Sequence, residues 1–225
     1  MSAPPLPVVF EDEHLLIVSK PPGLLSVPPS GGGKPNVADR LRRQAKQQGK
    51  LALPVHRLDL DTSGLLVFAR SEAARDALVL AFRERDIQKR YVALVHGRVR
   101  PAKGTIRSYI EDRGKIARSF PTERRGAGLA ITRFRVLESF RDATLVEARP
   151  ETGRLNQIRL HFADRHTPLV GDRKYAVASR YPLRFRRTLL HAAGLSLPHP
   201  KRRGRVDVEA PLPDDFRALL ESLAR

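Results

Sequence analysis

The sequence predicts an α+β fold that is rich in strands and has helices interspersed among them. Short runs of β-branched and aliphatic residues recur between turns rich in glycine and proline along its 225 residues. Three other segments have the residue pattern of helices. Because 41% of the residues are hydrophobic and no internal repeat or linker divides the chain, one domain over residues 1–225 is predicted.

The first predicted elements are a hairpin and a basic helix. Residues 8–10 and 14–19 are short apolar runs on either side of an acidic turn, which is typical of a β-hairpin. A Lys-Pro-Pro-Gly turn ends it, and the stretch 26–35, rich in proline and glycine, predicts a surface loop. Residues 37–48 then predict a helix with a basic face, which is more often solvated than a contact surface.

The central part of the sequence predicts a buried strand, a helix and further strands. Residues 65–68 are an unbroken apolar run behind a turn, as expected for a core strand. Ser71 is suited to cap a helix that reaches to about Arg85 and packs an apolar face on the core. Further extended segments are predicted at 89–97, 104–110, 131–140 and 143–148, with a basic loop or irregular hairpin at 111–129.

The charge balance indicates an anionic polymer as the partner. The chain has 42 Lys and Arg against 24 Asp and Glu, which is a formal net charge of +18. A phosphate backbone rewards such an excess through the release of its counterions, so RNA or DNA is favoured over a charge that serves only solvation. No membrane partner is expected, because neither a basic amphipathic helix of the membrane-binding type nor a lipid anchor is obvious, and no apolar run approaches about 20 residues.

The sequence indicates neither disulfide chemistry nor secretion. Without cysteine, thiolate chemistry is excluded, and a zinc ion would depend on His and carboxylate ligands alone. The N-terminal residues do not form a charged start followed by an apolar segment. We therefore expect a cytoplasmic protein.

A run of ionisable residues stands directly before the predicted buried strand. If residues 55–60 are extended, Arg57 and Asp59 project to the same side and form either a structural ion pair or the floor of a polar site. A metal-dependent nuclease built on His56, Asp59 and Asp61 is one alternative. Three ligands within six residues are sparse for Mg²⁺, which usually retains water and substrate oxygens as well.

A second informative run, at 151–163, predicts a turn into a helix. Arg159 lies at the edge of the apolar stripe of this helix. A guanidinium beside buried surface needs an anionic partner, and Asp59 is a candidate that spacing alone does not establish. The stripe consists of Leu155, Ile158 and Phe162.

Several of these runs, in the same order, resemble the RluA-type RNA pseudouridine synthases over nearly the whole chain. The N-terminal hairpin with its Lys-Pro-Pro-Gly turn is similar to the first signature of the family. His-Arg-Leu-Asp at 56–59 with Thr-Ser-Gly at 62–64 resembles the catalytic motif. Residues 89–97 resemble the tyrosine-bearing strand of the family, and residues 151–161 resemble its arginine-bearing helix. Two later signatures are matched at 170–172 and 190–192.

The resemblance implies a pseudouridine synthase fold, with a mixed, mainly antiparallel central sheet flanked by helices and loops. It also implies an isomerase that needs no cofactor and no metal. Asp59 would be the catalytic aspartate, and Arg159 its ion-pair partner. Tyr91 would stack on the target uracil and help to remove the C5 proton, while Arg57 would occupy the gap left by the flipped base.

The chain resembles the RluA subfamily in particular in the run 24–28 and in the segment 82–86. It also shares with that subfamily the lack of an upstream S4 RNA-binding domain. Its members modify the anticodon stem-loop of certain tRNAs, and some also modify a loop of 23S rRNA. The expected partner is therefore tRNA, 23S rRNA or both, bound by a monomeric protein. The expected RNA contacts are Arg57, His56, Arg113, Arg118 and Arg124.

Two points stay open at this stage. The family usually has Thr or Ser followed by His where this chain has Leu155 and Asn156, so a packing or substrate contact differs there. A non-catalytic RNA-binding or ribosome-assembly protein with the same fold and a silent site is the second functional alternative.

Overall fold

The structure is a computed structural model that describes residues 4–114, 116–176 and 181–225. The chain divides into two compact units. Unit 1 is formed by residues 1–88 and 192–213, and unit 2 by residues 89–191 and 214–225. Each unit is therefore assembled from segments that are distant in sequence, and the single catalytic domain expected for residues 1–225 stays a prediction.

The described residues confirm the α+β class, with helices interspersed among strands. The strands are β1 (Val8–Glu11), β2 (Leu15–Lys20), β3 (Leu53–Pro54), β4 (Ser63–Ala69), β5 (Gln88–His96), β6 (Lys103–Asp112), β7 (Ala117–Phe120), β8 (Ala127–Ser139), β9 (Ala143–Pro150), β10 (Leu190–Pro198) and β11 (Arg205–Glu209). The helices are α1 (Val37–Gln47), α2 (Glu72–Arg83), α3 (Gln157–Asp164) and α4 (Asp214–Leu223). No helix in the described ranges has the length and apolar character needed to cross a membrane.

The predicted hairpin and the predicted core strand are both present in unit 1. Strand β2 pairs antiparallel with β1 on one side and with β4 on the other. Strand β3 also pairs with β4, and β11 pairs with β10. All residues of β4 are buried, and one of its faces packs against α2. This core includes Leu15, Ile17, Leu65, Val67 and Leu78.

Both helices of unit 1 begin at a capping side chain. The Asn36 side chain accepts a hydrogen bond from the Asp39 N–H at 2.8 Å, and Ser71 accepts one from the Ala74 N–H at 3.2 Å. The predicted cap at Ser71 is thus confirmed. Helix α2 ends at Arg83, slightly earlier than expected, because Arg85 adopts a left-handed conformation with φ of 63°.

The strands of unit 2 pair antiparallel in the order β5-β9-β8-β6-β7. The end of β6 pairs antiparallel with β7 within 111–129, so the hairpin interpretation of that segment is confirmed. Helix α3 packs on one face of these strands, and Ile158 and Phe162 of the predicted stripe are buried there. Leu155 precedes the helix and is half-buried.

Helix α4 is tied to unit 2 by an ion pair with a buried arginine. The Arg187 Nε and Nη2 atoms each donate to a carboxylate oxygen of Asp215 at 2.8 Å. Arg187 also donates to the Thr188 carbonyl oxygen at 3.1 Å. Two parallel hydrogen bonds between a guanidinium and a carboxylate hold both groups in one geometry.

A buried histidine joins α3 to the sheet of unit 2. The His161 Nδ1 atom lies 2.9 Å from the Thr132 Oγ1, and its Nε2 atom lies 3.1 Å from the Ser108 Oγ. Burial lowers the pKa of His161 to about 4. The ring is therefore neutral at pH 7, with one nitrogen that donates and one that accepts.

We expect acidification from pH 6.5 to pH 4 to destabilise the protein in part through His161. Its pKa falls from 6.5 to about 4 on folding, so the unfolded state takes up the proton first as the pH drops. The stabilisation present above pH 6.5 is then lost across this window. The free energy of unfolding in urea should decline less steeply with acidification in His161→Gln than in the wild type, and equal slopes would contradict this role.

Candidate active site

The loop that carries Asp59 lies in unit 1 between β3 and β4. Only residues 53–54 pair as a strand, and residues 55–59 have no regular secondary structure, so the loop is not part of a strand. Arg57 is exposed, whereas Asp59 is half-buried. The loop must be held by something other than a strand ladder.

Ser26 holds the backbone before Asp59. Its hydroxyl donates to the Leu58 carbonyl oxygen and accepts from the Leu58 N–H, both at 2.9 Å. Leu58 is also buried in the core. The sequence predicted a surface loop from residue 26, but Ser26 itself is buried because these two hydrogen bonds satisfy its hydroxyl.

Lys20 holds the backbone after Asp59. This lysine is only 1% exposed, and its Nζ donates to the carbonyl oxygens of Leu60 at 3.0 Å, Leu24 at 2.7 Å and Pro21 at 3.0 Å. An ammonium group has three N–H donors, and these bonds engage all of them. The buried charge is thus compensated, and it ties the Leu60 carbonyl, one residue after Asp59, to the turn that follows β2.

His56 and Gly64 fix the two ends of this loop. The His56 Nε2 atom accepts a hydrogen bond from the Val67 N–H at 3.0 Å, and its ring stacks on Phe82 with the ring centres 4.6 Å apart. Gly64 has a φ of 107°, and a Cβ there would lie 2.2 Å from the Ala192 carbonyl oxygen. His56 therefore has structural contacts, and its expected contact with RNA stays a prediction.

Arg159 forms a two-pronged ion pair within unit 2. Its Nε and Nη2 atoms donate to the two carboxylate oxygens of Asp172 at 2.7 and 2.9 Å. The side chains are 13% and 1% exposed. The sequence analysis predicted that Arg159 needs an anionic partner, and Asp172 is one. The pairing with Asp59 that the resemblance implies stays a prediction.

Asp172 is itself held by the loop that follows it. Its Oδ1 atom accepts hydrogen bonds from the N–H groups of Lys174 at 2.8 Å and Tyr175 at 3.1 Å. Burial tends to raise the pKa of Asp172, but the hydrogen bonds and charge of Arg159 and the two backbone N–H groups outweigh it, so the pKa lies below its ordinary value. The carboxylate is ionised at neutral pH and keeps the guanidinium in one orientation.

Asn156 stands where the family that the sequence resembles usually has histidine, and it belongs to the same network. It precedes α3 in the left-handed conformation, with φ of 53°. Its Nδ2 donates to the Tyr175 hydroxyl at 2.9 Å, and its Oδ1 accepts from the Arg159 Nη1 at 3.2 Å. The Arg159 guanidinium also lies over the Tyr175 ring, 5.2 Å from its centre. Asn156 therefore gives Arg159 a further hydrogen bond.

The start of α3 is anchored to β8 by Gln157. Its Nε2 donates to the Ile131 carbonyl oxygen and to the Thr132 hydroxyl, both at 2.9 Å. Its Oε1 accepts from the Thr152 hydroxyl at 2.6 Å and from the Arg154 N–H at 3.0 Å. These four bonds use the full capacity of the amide and fix the helix two residues before Arg159.

The remaining predicted site residues lie in unit 2. Tyr91, near the start of β5, is half-buried and packs against the core beneath α3. In the β6–β7 hairpin, Arg118 is exposed and the Arg113 Nε lies 3.0 Å from the Glu111 carboxylate. Arg124 lies over the Phe120 ring at 4.6 Å. Their roles toward RNA stay predictions.

The sequence analysis missed the supporting residues of both networks. Lys20, Ser26 and Tyr175 received no role, and Asp172 was noted only as part of a signature. The Lys-Pro-Pro-Gly turn and the Gly-Asp pair were visible in the sequence, but neither reveals which group its charge contacts. In the ranges that the structure describes, no three His, Asp or Glu side chains are grouped as metal ligands.

We expect Lys20→Met to destabilise the protein, because it removes the buried donor shared by the carbonyl oxygens of Pro21, Leu24 and Leu60. Of these, the Leu60 oxygen keeps a bond from the Gly23 N–H. Each buried acceptor left unsatisfied costs about 1 to 3 kcal/mol. Lys50→Met is the matched control, because Lys50 is 52% exposed and pairs only weakly with Glu11 at the surface. Urea unfolding of both variants measures the difference, and equal stabilities would show that the buried ammonium contributes nothing.

Arg159→Ala should also destabilise the protein, by about 3 to 5 kcal/mol, because it strands the buried carboxylate of Asp172. The control is Arg133→Ala. Its partner Glu151 is 36% exposed and Arg133 is 71% exposed, so we expect a loss of no more than about 1 kcal/mol. Thermal and urea unfolding of the two variants distinguish these effects. Losses of the same size would contradict the importance of the Asp172 pair.

Comparison with known proteins identifies the family of this chain. A family model described as RNA pseudouridylate synthase matches residues 14–164. The protein named Uncharacterized RNA pseudouridine synthase YlyB of Bacillus subtilis is 37% identical over 225 residues, which cover 98% of this chain and 73% of that protein. Ribosomal large subunit pseudouridine synthase D of Xanthomonas campestris is 36% identical, over 97% of this chain and 70% of that protein.

A solved structure extends the agreement to the fold. Human RNA Pseudouridylate Synthase Domain Containing 4 superposes with a TM-score of 0.82 at 26% identity, over 97% of this chain and 93% of that chain. The pseudouridine synthase fold implied by the sequence is thereby confirmed. Because the family model and the relatives agree over most of the chain, the protein belongs to the RluA-type RNA pseudouridine synthases, a family of isomerases that act on uridine in RNA.

Proposed function

We propose that this enzyme converts a specific uridine of structured RNA into pseudouridine, with Asp59 as its catalytic aspartate. The observation that carries the assignment is the way the Asp59 loop is held. Ser26 binds the Leu58 carbonyl before Asp59, Lys20 binds the Leu60 carbonyl one residue after it, and the Thr62 N–H donates to the Asp59 carbonyl. A half-buried carboxylate is thus presented from a held backbone. Such support is what a catalytic group needs to keep its geometry.

The reaction requires a carboxylate but no change of oxidation state. The bond between C1′ and N1 breaks, the uracil rotates, and a bond between C1′ and C5 forms. The proton on C5 is lost and N1 gains one, so the atoms balance. Asp59 would attack the sugar or the base, or remove the 2′ proton of the ribose, and each of these routes needs its ionised form.

The target uracil must leave the base stack before it reaches Asp59. Loops of RNA allow this at lower cost than duplexes, because their bases are already partly unstacked. In the proposal Tyr91 stacks on the extruded base and offsets about 1 to 3 kcal/mol of the cost. The exposed Arg57 would fill the gap that the base leaves. Contacts of His56, Arg113, Arg118 and Arg124 with RNA belong to the same proposal.

In the proposed mechanism, Arg159 serves as the cationic partner of the catalytic carboxylate. The bonds of Arg159 to Asp172 and Asn156 hold its guanidinium in one orientation. A group that acts on a catalytic carboxylate needs such support to keep its geometry. A double-mutant cycle between Asp59 and Arg159, read in single-turnover rates, measures this pairing.

The substrate is proposed to be 23S rRNA, the anticodon stem-loop of tRNA, or both. The name of the Xanthomonas relative refers to the large ribosomal subunit, which supports the rRNA substrate. The tRNA substrate rests on the resemblance to the RluA subfamily. We place the enzyme in the cytoplasm as a monomer, where both RNAs are within reach.

The test is tritium release from RNA labelled at uridine C5, with tRNA and 23S rRNA fragments and with EDTA present. The hydrogen on C5 must leave when that carbon becomes glycosidic. We expect release by the wild type, and loss of at least about three orders of magnitude in Asp59→Asn, while the affinity for RNA stays within about twofold. Asp61→Asn, which removes a neighbouring carboxylate, is the control and should retain turnover.

The outcomes separate the alternatives. Turnover by Asp59→Asn at the wild-type rate would remove Asp59 from the mechanism. Tight RNA binding without release from any RNA would favour a silent site. Strand cleavage only after Mg²⁺ is restored would favour a nuclease. The hydrogen bond that the His56 Nε2 accepts from the Val67 N–H already argues against that nitrogen as a metal ligand.

A further inference from the structure

Strands β6 to β9 of unit 2 carry a set of cations on the side opposite to α3. Residues directly opposite each other in an antiparallel pair point to the same side of a sheet. The register places Arg133 opposite Arg149 and Thr105, and it places Arg135 opposite Lys103. All of these side chains are exposed. We call the set the basic face, and it consists of Lys103, Arg107, Arg118, Arg133, Arg135 and Arg149.

The alternate residues of the same strands point inward. Ile106 and Ser108 of β6 and Ala130, Thr132 and Phe134 of β8 are all buried, on the side that packs against α3. The basic face is therefore the outward side of a sheet whose inner side is the core. Its arginines project from a rigid strand ladder and not from mobile loops.

The basic face has an excess of positive charge. Arg133 and Arg149 lie directly across from each other on β8 and β9, where like charges repel. Within the described ranges, the carboxylates opposite or bonded to members of the face are Glu111, Glu147 and Glu151, so six cations stand against three anions. Such an excess on one side of a sheet indicates an anionic partner.

One buried carboxylate, Glu147, organises part of this face and does not neutralise it. Glu147 is 3% exposed and accepts hydrogen bonds from Arg135 Nε at 2.9 Å and Arg149 Nε at 2.8 Å. Burial tends to raise the pKa of Glu147, but the two arginines outweigh it and the pKa is lowered. One carboxylate thus orients two guanidinium groups, and Glu151 pairs with Arg133.

An aromatic pair borders the cations. Tyr109 on β6 lies directly opposite Phe120 on β7, and Glu111 lies opposite Arg118 two residues away, so these side chains share the outward side. Both rings are half-buried. Protein surfaces that bind nucleic acids often combine arginine with aromatic rings. The guanidinium groups bind phosphates, and the rings contact bases or sugars.

We propose that the basic face binds the sugar-phosphate backbone of the substrate RNA outside the loop that holds the target uridine. The proposal rests on the proposed function, since the substrate must be RNA. Guanidinium groups pair with phosphate oxygens in a two-pronged geometry that lysine does not provide, and five of the six cations here are arginine. The face thereby favours long, structured RNA over an isolated loop.

The test compares a long RNA with a short one of the same loop. We expect Arg107→Gln/Arg133→Gln/Arg149→Gln to raise the KM for the long RNA about tenfold or more, with a much smaller effect on the short RNA. The dependence of log Kd on log salt for the long RNA should fall by about 2 to 3 units, because each lost phosphate contact removes about one. Arg75→Gln/Arg83→Gln/Arg217→Gln, which removes the same charge from two helices, is the control.

Urea unfolding first establishes that both triple variants fold. An unchanged KM and an unchanged salt dependence for the long RNA would overturn the proposal. An equal loss in the control variant, or an equal loss on both RNAs, would also overturn it, because a general charge effect would then explain the result. Binding is measured by fluorescence anisotropy, which needs no turnover. Failure of catalysis in the wild type would therefore count against the proposed function and not against this surface.

Discussion

The buried ammonium of Lys20 is the interaction on which the order of the catalytic loop depends. A loop of eight residues between β3 and β4 has no strand ladder to fix it, so its polar groups need other partners. Lys20 meets this need at one side of Asp59 and Ser26 at the other. A charge taken out of water is costly unless every donor finds an acceptor, and here three carbonyl oxygens provide that. These hydrogen bonds offset the free-energy cost of burying the ammonium, and they order the backbone of the loop.

In unit 2 a largely buried charged group is held by an ion pair instead of by backbone carbonyl oxygens. The guanidinium of Arg159 is fixed by Asp172, which is fixed in turn by two N–H groups of its own loop. Asn156 gives Arg159 a further hydrogen bond and links it to the Tyr175 hydroxyl. An asparagine suits the left-handed position in front of α3, because its short polar side chain tolerates that conformation better than most. The two hydrogen bonds of Asn156 show how the chain accommodates the departure from histidine.

Local signals in the sequence predicted more than long-range ones did. The cap at Ser71, the N-terminal hairpin and the apolar run of β4 depend on neighbouring residues and were recognisable. Strands β10 and β11 and helix α4 received no prediction. The burial of Lys20 was also missed. Its acceptor on Leu60 is 40 residues away in the sequence, and a lysine is expected to be exposed unless a partner is known. The family resemblance assigned Asp59, Tyr91 and Arg159, whereas spacing alone would have favoured a structural ion pair and a core tyrosine.

The interleaved path of the chain also constrains how the protein is made. Residues 192–213 complete unit 1 only after all of residues 89–191 have been synthesised, and residues 214–225 complete unit 2 last. Folding during translation usually proceeds one continuous domain at a time from the N-terminus. Here neither unit has its full set of strands and helices until its distant segment emerges from the ribosome. A nascent chain that stops before residue 192 lacks the Ala192 carbonyl against which Gly64 is packed, so the turn behind Asp59 is finished late in synthesis.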